Sequence, residues 1–323
     1  MRIALVLGGL LVVLGVSIVV AALIGAVSIA PLDVLGAIGG TGDPVTLAIV
    51  RDLRLPRIAA AAIVGGALAV AGALLQGLLR NPLADPYVTG TSAGASLGAV
   101  IAIALGATAI PALLPVAAFI GALVAVAATW RLASLGGRTT VLTVLLGGVV
   151  LTSFAGAVLT FLLVANDRVV PRLRAVLGWI LGGVSVLDSA QLLVAALIVA
   201  VGVVAAIALA PRLDAFAFGE ETAETLGIDV GRTAGAVLSV TALLTAAAVA
   251  LAGVIGFVGL VVPHALRPLL PLRGRHPGRH PQLDHPVDEP CRHRAPAPGG
   301  SHHADRRPPV PRAVAPPPFG HAL

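Results

Sequence analysis

Apolar residues run along this chain in blocks of about twenty, separated by short polar breaks. Residues 3–27 are apolar except for Ser17, and further blocks occupy about 58–79, 92–110, 113–130, 140–164, 189–210 and 233–253. A hydrocarbon core of ~30 Å takes about 20 helical residues at ~1.5 Å each, so every block predicts a membrane crossing. An eighth span begins near Val254. The first block is longer than the ~7–15 apolar residues of a cleaved signal peptide, so an uncleaved first span is expected. The piece from Ala175 to Leu187 is too short to cross and reads as a re-entrant or interfacial helix.

The breaks are as informative as the blocks. Arg51, Arg54 and Arg57 stand at three-residue spacing before the block 58–79, and Arg80-Asn81-Pro82 closes it. Proline cannot continue a helix and pushes the preceding residue out of the α region, which makes Asn81 a helix end. The segment NPLADP then places two prolines in six residues and forces a fixed, non-helical connection. Behind it, Gly90, Ser92, Gly94, Ala95 and Gly98 form a small-residue run of the kind that lets helix backbones approach closely in a bilayer. From Pro211 to Arg232 the chain is expected to leave the membrane. That stretch holds the acidic cluster Glu220, Glu221 and Glu224, with Ala223 and Leu226 at helical spacing and Gly227 as a C-terminal stop.

Composition sets the class. With 58% hydrophobic and 11% charged residues the chain is an all-α, multi-pass membrane bundle. A pI of 11.2 invites nucleic acid as a partner. The charge argues otherwise: residues 1–270 hold 13 Arg against 11 acids, and the last 53 residues supply most of the net +6. Lysine is absent, so the phosphate-binding G-x-x-x-x-G-K-[ST] loop is impossible and ATP hydrolysis would belong to a partner. The predicted spans contain no Asp, Glu, Lys or His, which counts against an ion-coupled secondary transporter. No nucleophile–base pair or metal-ligand set lies in the spans, so neither an enzyme nor a cofactor is expected. The lone Cys291 excludes an internal disulfide. Positive charge does not orient the chain: seven arginines on one side face six on the other.

The ordered run Arg54, Leu55, Pro56, Arg57; Gly66, Leu68, Gly72, Gln76; Asn81, Pro82, Leu83, Ala84, Pro86, Gly90 resembles the permease subunits of ABC importers for iron-siderophores, haem and vitamin B12. So does Gly253–Arg267, GVIGFVGLVVPHALR, with Gly256, Gly259, Pro263 and His264. The resemblance covers roughly residues 1–270. It implies a cell-membrane protein of ten spans with its N-terminus inside. The partners it implies are an ABC ATPase, an extracytoplasmic substrate-binding protein and a second permease subunit, with the lipid bilayer around them. Ferric siderophore is the cargo it implies first, with haem and cobalamin as alternatives. It assigns Gly219, Glu220, Ala223, Leu226 and Gly227 to a cytoplasmic segment seated in the ATPase; local chemistry alone fits a solvated amphipathic loop as well. It assigns Arg54 and Arg57 to docking of the binding protein, although exposed arginines on such a loop also serve as interfacial anchors. His264 has no second His, Cys or carboxylate beside it and reads as a structural histidine next to Pro263 rather than a metal ligand.

Past residue 270 the pattern collapses. Pro271–Leu323 contains 13 Pro, 8 Arg and 7 His and no block long enough to cross, which taken at face value is a basic, disordered tail. A sharper reading is a shifted reading frame. With permitted third bases, the codons for Gly299 onward moved by one nucleotide can spell V-G-V-I-T-L-I-G-G-H-P-F-L-A-L-L-R. That string resembles the final span of the same permease family. About eight of ten spans are therefore expected in the chain as written.

Overall fold

The structure, a computed structural model, describes residues 2–106, 112–135, 141–166, 169–184 and 189–269, and every regular element within them is helical. The segment 271–323, Arg138 and Arg168 lie outside the described residues.

Helix α1 spans Arg2–Leu23. The polar break that follows is itself helical. Helix α2 (Pro31–Gly39) has a proline in its first turn, where no amide is needed, and stops at Gly40 with φ +89°. Helix α3 (Pro44–Leu47) is capped by Asp43, whose carboxylate accepts from the Val45 and Thr46 amides and from the Thr46 hydroxyl. That hydroxyl, followed by the two amides, holds the Asp43 carboxyl below its ordinary pKa.

The block expected over 58–79 proves to be the second half of a 36-residue helix, Pro44–Leu79. A π-helical run, Ala48–Arg54, joins α3 to α4 (Leu55–Leu79), and the Leu55 amide reaches back five residues to the Val50 carbonyl. Pro56 has no amide to donate, and its ring would press on a carbonyl four residues back. The wider π turn absorbs both problems, so RLPR sits inside a helix instead of before one. The far end behaves as expected: Arg80 takes a left-handed conformation at φ 48°, and the Asn81 carboxamide oxygen accepts from the Leu83 amide at 2.9 Å.

A 3₁₀ turn, Pro86–Thr89, precedes α5 (Thr91–Ala104), then come α6 (Leu113–Ser134) and α7 (Val141–Ala165). The short helix expected near 175 is α8 (Leu173–Ile180). Helix α9 (Ser189–Phe216) carries Pro211 within it, so the helix does not stop at 210 and the break begins only at Ala217. Helices α10 (Glu220–Thr225), α11 (Val230–Ala252) and α12 (Val258–Leu266) complete the described chain.

Six of these helices are long and apolar enough to cross a bilayer. The spans expected at 92–110 and from Val254 appear as shorter apolar helices, α5 of 14 residues and α12 of 9. Gly253, at φ 66°, breaks α11 from α12.

Helix α4 is the hub, packing against α11, α9 and α12; α5 packs against α6, and α11 bridges α4 and α6. Small residues set these distances. A Cβ on Gly94 or Gly98 would overlap the backbone of α6 at Gly121 or Ala117, so the α5–α6 crossing exists only because those side chains are absent. Thr129 of α6 donates to the Thr89 carbonyl at 3.0 Å and ties the 3₁₀ turn to this pair.

Candidate functional site

The two stretches that carry the family resemblance meet at Gln76. Its side chain is buried on α4, and its amide nitrogen donates to the carbonyls of Ala84 (3.3 Å), Gly259 (3.4 Å) and Leu260 (3.1 Å). One amide therefore pins together the end of α4, the connection after it and the start of α12, across 183 residues of sequence. The Gln76 carboxamide oxygen is buried with no partner among the described residues. Directly below, α4 and α12 touch through backbone: a Cβ on Gly72 would overlap the Gly259 carbonyl, and one on Gly259 would meet the Pro86 ring and the Leu68 carbonyl.

Tyr87, the one tyrosine of the chain, adds a second link. Its hydroxyl oxygen accepts from the Ile255 amide at 3.3 Å. Burial, with Asp85 adding to it and the Ile255 amide opposing it, pushes the phenol up to about 12, so it stays neutral. Gly90, buried at φ 86°, turns the chain from the 3₁₀ turn into α5. Pro263 is buried inside α12, whereas Pro82, Asn81, Gly256 and His264 are exposed. Among the described residues, no group of three or more His, Cys, Asp or Glu is arranged to hold a metal ion.

The opposite end of α4 is built differently. Arg54 is half-buried and spends its guanidinium on carbonyls at and just past the end of α1, donating to Ala22 at 2.7 Å and also to Val27. Arg51 donates to the Ile38 carbonyl at 3.0 Å. Arg57 is exposed and has no hydrogen-bond or ion-pair partner among the described residues. The three arginines of the break thus divide: two hold local backbone and one is free.

In the 211–232 stretch, Gly219 at φ 115° admits the chain to α10, and Gly227 at φ 79° follows it. The Ile228 amide donates to the Ala223 carbonyl and the Gly227 amide to Glu224, which closes the helix end. Ala223 is fully buried against its own protein, while Phe218 and Leu226 are 77% and 65% exposed. Glu221 and Glu224 are exposed beside them. The segment is therefore a fixed element with apolar residues facing outward on either side of a short acidic helix.

Sequence reasoning missed the junction partners Tyr87, Leu260 and Thr129 and the internal role of Arg54. Tyr87 carried a signal as the single tyrosine beside the NPLADP segment, and Leu260 lay within the Gly253–Arg267 stretch with no role attached to it.

The FecCD transport family matches residues 11–277. A cobalamin import system permease protein of Halobacterium salinarum is 44% identical over 219 residues, covering 68% of this chain and 58% of that protein. A hemin transport system permease protein of Yersinia pestis is 37% identical over 220 residues, covering 67% of this chain and 65% of that protein. A ferric enterobactin transport system permease protein of Escherichia coli is 35% identical over 265 residues, covering 82% and 78%. The chain thus spans less than two thirds of the first two relatives. Among solved structures, a metal-chelate type ABC transporter in an inward-facing conformation superposes with a TM-score of 0.68 at 28% identity, covering 81% of this chain and 80% of that one. The motif stretches joined at Gln76 and the match over 11–277 describe one and the same region, and the chain belongs to the FecCD transport family.

Proposed function

We propose that this chain is the permease subunit of a binding-protein-dependent ABC importer of the cell membrane, moving a chelated metal by ATP-driven alternating access. The observation that carries the reading is the Gln76 junction. It joins the two motif stretches of the family across 183 residues and gives α4 and α12 one shared, buried contact through which a movement of one reaches the other. Ferric siderophore, haem and cobalamin are supported alike by the relatives. Each is a metal held in an organic chelate, which is the cargo class we assign. The permease does no chemistry on it. A partner ATPase hydrolyses ATP, and a second permease subunit completes the pathway.

The coupling role belongs to Gly219–Gly227, with the cytoplasm on that side. Leu226 and Phe218 are the contact residues, since Ala223 faces inward. A cysteine at Leu226 should crosslink to the co-expressed ATPase; crosslinks only to the external binding protein would reverse the orientation and end the role. Docking of the binding protein is carried by Arg57, with Arg54 holding the surface that presents it. Arg57→Glu should prevent complex formation in a pull-down at moderate salt, and unchanged binding would refute the docking role.

The segment after residue 270 is read in a shifted frame. The family match ends at residue 277, within a few residues of the change in composition. The functional test uses the chain with its frame restored near codon 270, expressed in a strain that has lost its own permease but retains its ATPase and binding protein. Labelled cobalamin, haem and a ferric siderophore are offered in turn. Accumulation of one of them supports the proposal; a chain present in the membrane that takes up none of the three contradicts it.

A further inference from the structure

Helix α1 stands away from the bundle: no residue between Ala4 and Ala21 is buried. Between it and the start of α4 lies a groove of about 690 Å³, within the ~300–1,000 Å³ range of small-ligand sites. One face of α1 lines it through Leu14, Ser17, Ile18 and Ala21, at helical spacing i, i+3, i+4, i+7. The π turn and α4 supply the other wall through Arg54, Arg57, Ile58, Ala61 and Ala62, with the same period. The interior offers no free polar side chain, because the Ser17 hydroxyl donates to the Val13 carbonyl of its own helix.

Charge sits at one end only. Arg54 ends the π turn and Arg57 lies in the first turn of α4, and Arg54 is bonded to carbonyls at and just past the end of α1; charge gathered here, against apolar walls beyond, places this rim at the membrane surface. From that rim the α1 wall runs back to Leu14, about nine residues or ~14 Å, which is half of a ~30 Å hydrocarbon core. The groove is therefore apolar to the depth of one leaflet, closed toward the carbonyls by a committed guanidinium, and edged by a second that has no partner among the described residues. Among the described residues, no acidic side chain lines it.

We propose that this groove binds one anionic phospholipid, an acyl chain lying between α1 and α4 and the phosphate paired with Arg57. The apolar walls take a hydrocarbon chain, and a guanidinium fits a phosphate with paired N–H donors. A net negative headgroup is selected over a zwitterionic one because Arg57 has no carboxylate beside it among the described residues of the groove, and a choline cation would be repelled there. The bound lipid fills a space that α1 and α4 leave between them, and so tethers α1 to the bundle.

Native mass spectrometry of the full chain, and of the frame-restored chain, tests the idea with phosphatidylglycerol and phosphatidylcholine as probes. Both forms should retain one phosphatidylglycerol with at least about fivefold preference, the scale set by one arginine at a charged membrane surface. Arg57→Gln should erase the preference. The pair Ala21→Phe and Ala62→Phe, at exposed positions, should fill the groove and remove the retained lipid while Arg57 stays in place. Because Arg57 is intact there and no longer paired with a phosphate, binding-protein docking should be retained or strengthened, which separates this site from the docking role. Arg131→Gln on α6 should behave as the parent. Equal retention of both lipids by the parent, full retention by the groove-filled pair, or unchanged preference in Arg57→Gln would each overturn the proposal.

Discussion

The two ends of α4 solve the same problem in opposite ways. At its C-terminal end, Gly72 and Gly259 bring two backbones into contact and Gln76 gathers carbonyls from two other segments, with Leu68, Leu75 and Leu78 buried around them. At its N-terminal end, Ala61 and Ala62 face a groove, and α1 is held by the guanidinium of Arg54. In lipid there is no hydrophobic force to press helices together, so association depends on close van der Waals fit and polar contacts. The first end has both. The second has the polar contact and one small apolar cluster, Ala22, Val34, Ala37 and Val50, and beside that cluster it leaves a space for a lipid to occupy.

Breaking the tight end should have the largest effect. Gly72→Val places a side chain where the Gly259 carbonyl lies, and Gly259 is itself backed by the Pro86 ring and the Leu68 carbonyl. We expect loss of the monodisperse protein in detergent by size-exclusion chromatography, beyond the ~1–3 kcal/mol of ordinary overpacking. The same change at Gly65, which has nothing within 4 Å, should leave the elution profile intact.

Gln76→Leu should come next. It removes an amide shared by three carbonyls and strands those that have no other donor, at a cost of about 1–3 kcal/mol. A lowered melting temperature with retained helical signal is the expected outcome. An unchanged melting temperature would mean that the backbone contact at Gly72 holds the junction alone.

The smallest effect is expected at the loose end. Arg54→Gln removes bonds to the Ala22 and Val27 carbonyls but leaves the bundle core untouched. Hydrogen exchange should rise in residues 20–30 with the midpoint of global unfolding unmoved. If the melting temperature fell as far as in Gln76→Leu, α1 would be integral to the core and the contrast between the two ends would fail.

Much of this contrast was legible only in part from sequence. The apolar blocks placed α1, α4, α6, α7, α9 and α11, because about twenty apolar residues in a row have no other use at this scale. Block edges were less legible. Arg51, Arg54 and Arg57 read as a loop, yet they lie in or beside a π turn that lets the helix run through Pro56; Pro211 was likewise carried within α9. In each case the backbone absorbed a residue that usually ends a helix. α5 stops at Ala104 before Gly106, at φ 86°, an end that hydropathy does not mark. The resemblance supplied Gln76 and Gly259 as members of two motifs but not their meeting, since pairing across 183 residues leaves no periodic trace. Nor does sequence order say which arginines spend their charge on local carbonyls, and that is why Arg54 and Arg57 looked equivalent.

The measurement that bears most directly on the central claim is transport by purified components. The frame-restored permease is reconstituted in liposomes with its ATPase and binding protein, and uptake of the labelled chelate is followed with ATP supplied or with an imposed proton or sodium gradient. The account predicts uptake that requires ATP and the binding protein and is indifferent to the gradients. Uptake driven by a gradient without ATP would contradict it and make the chain an ion-coupled carrier.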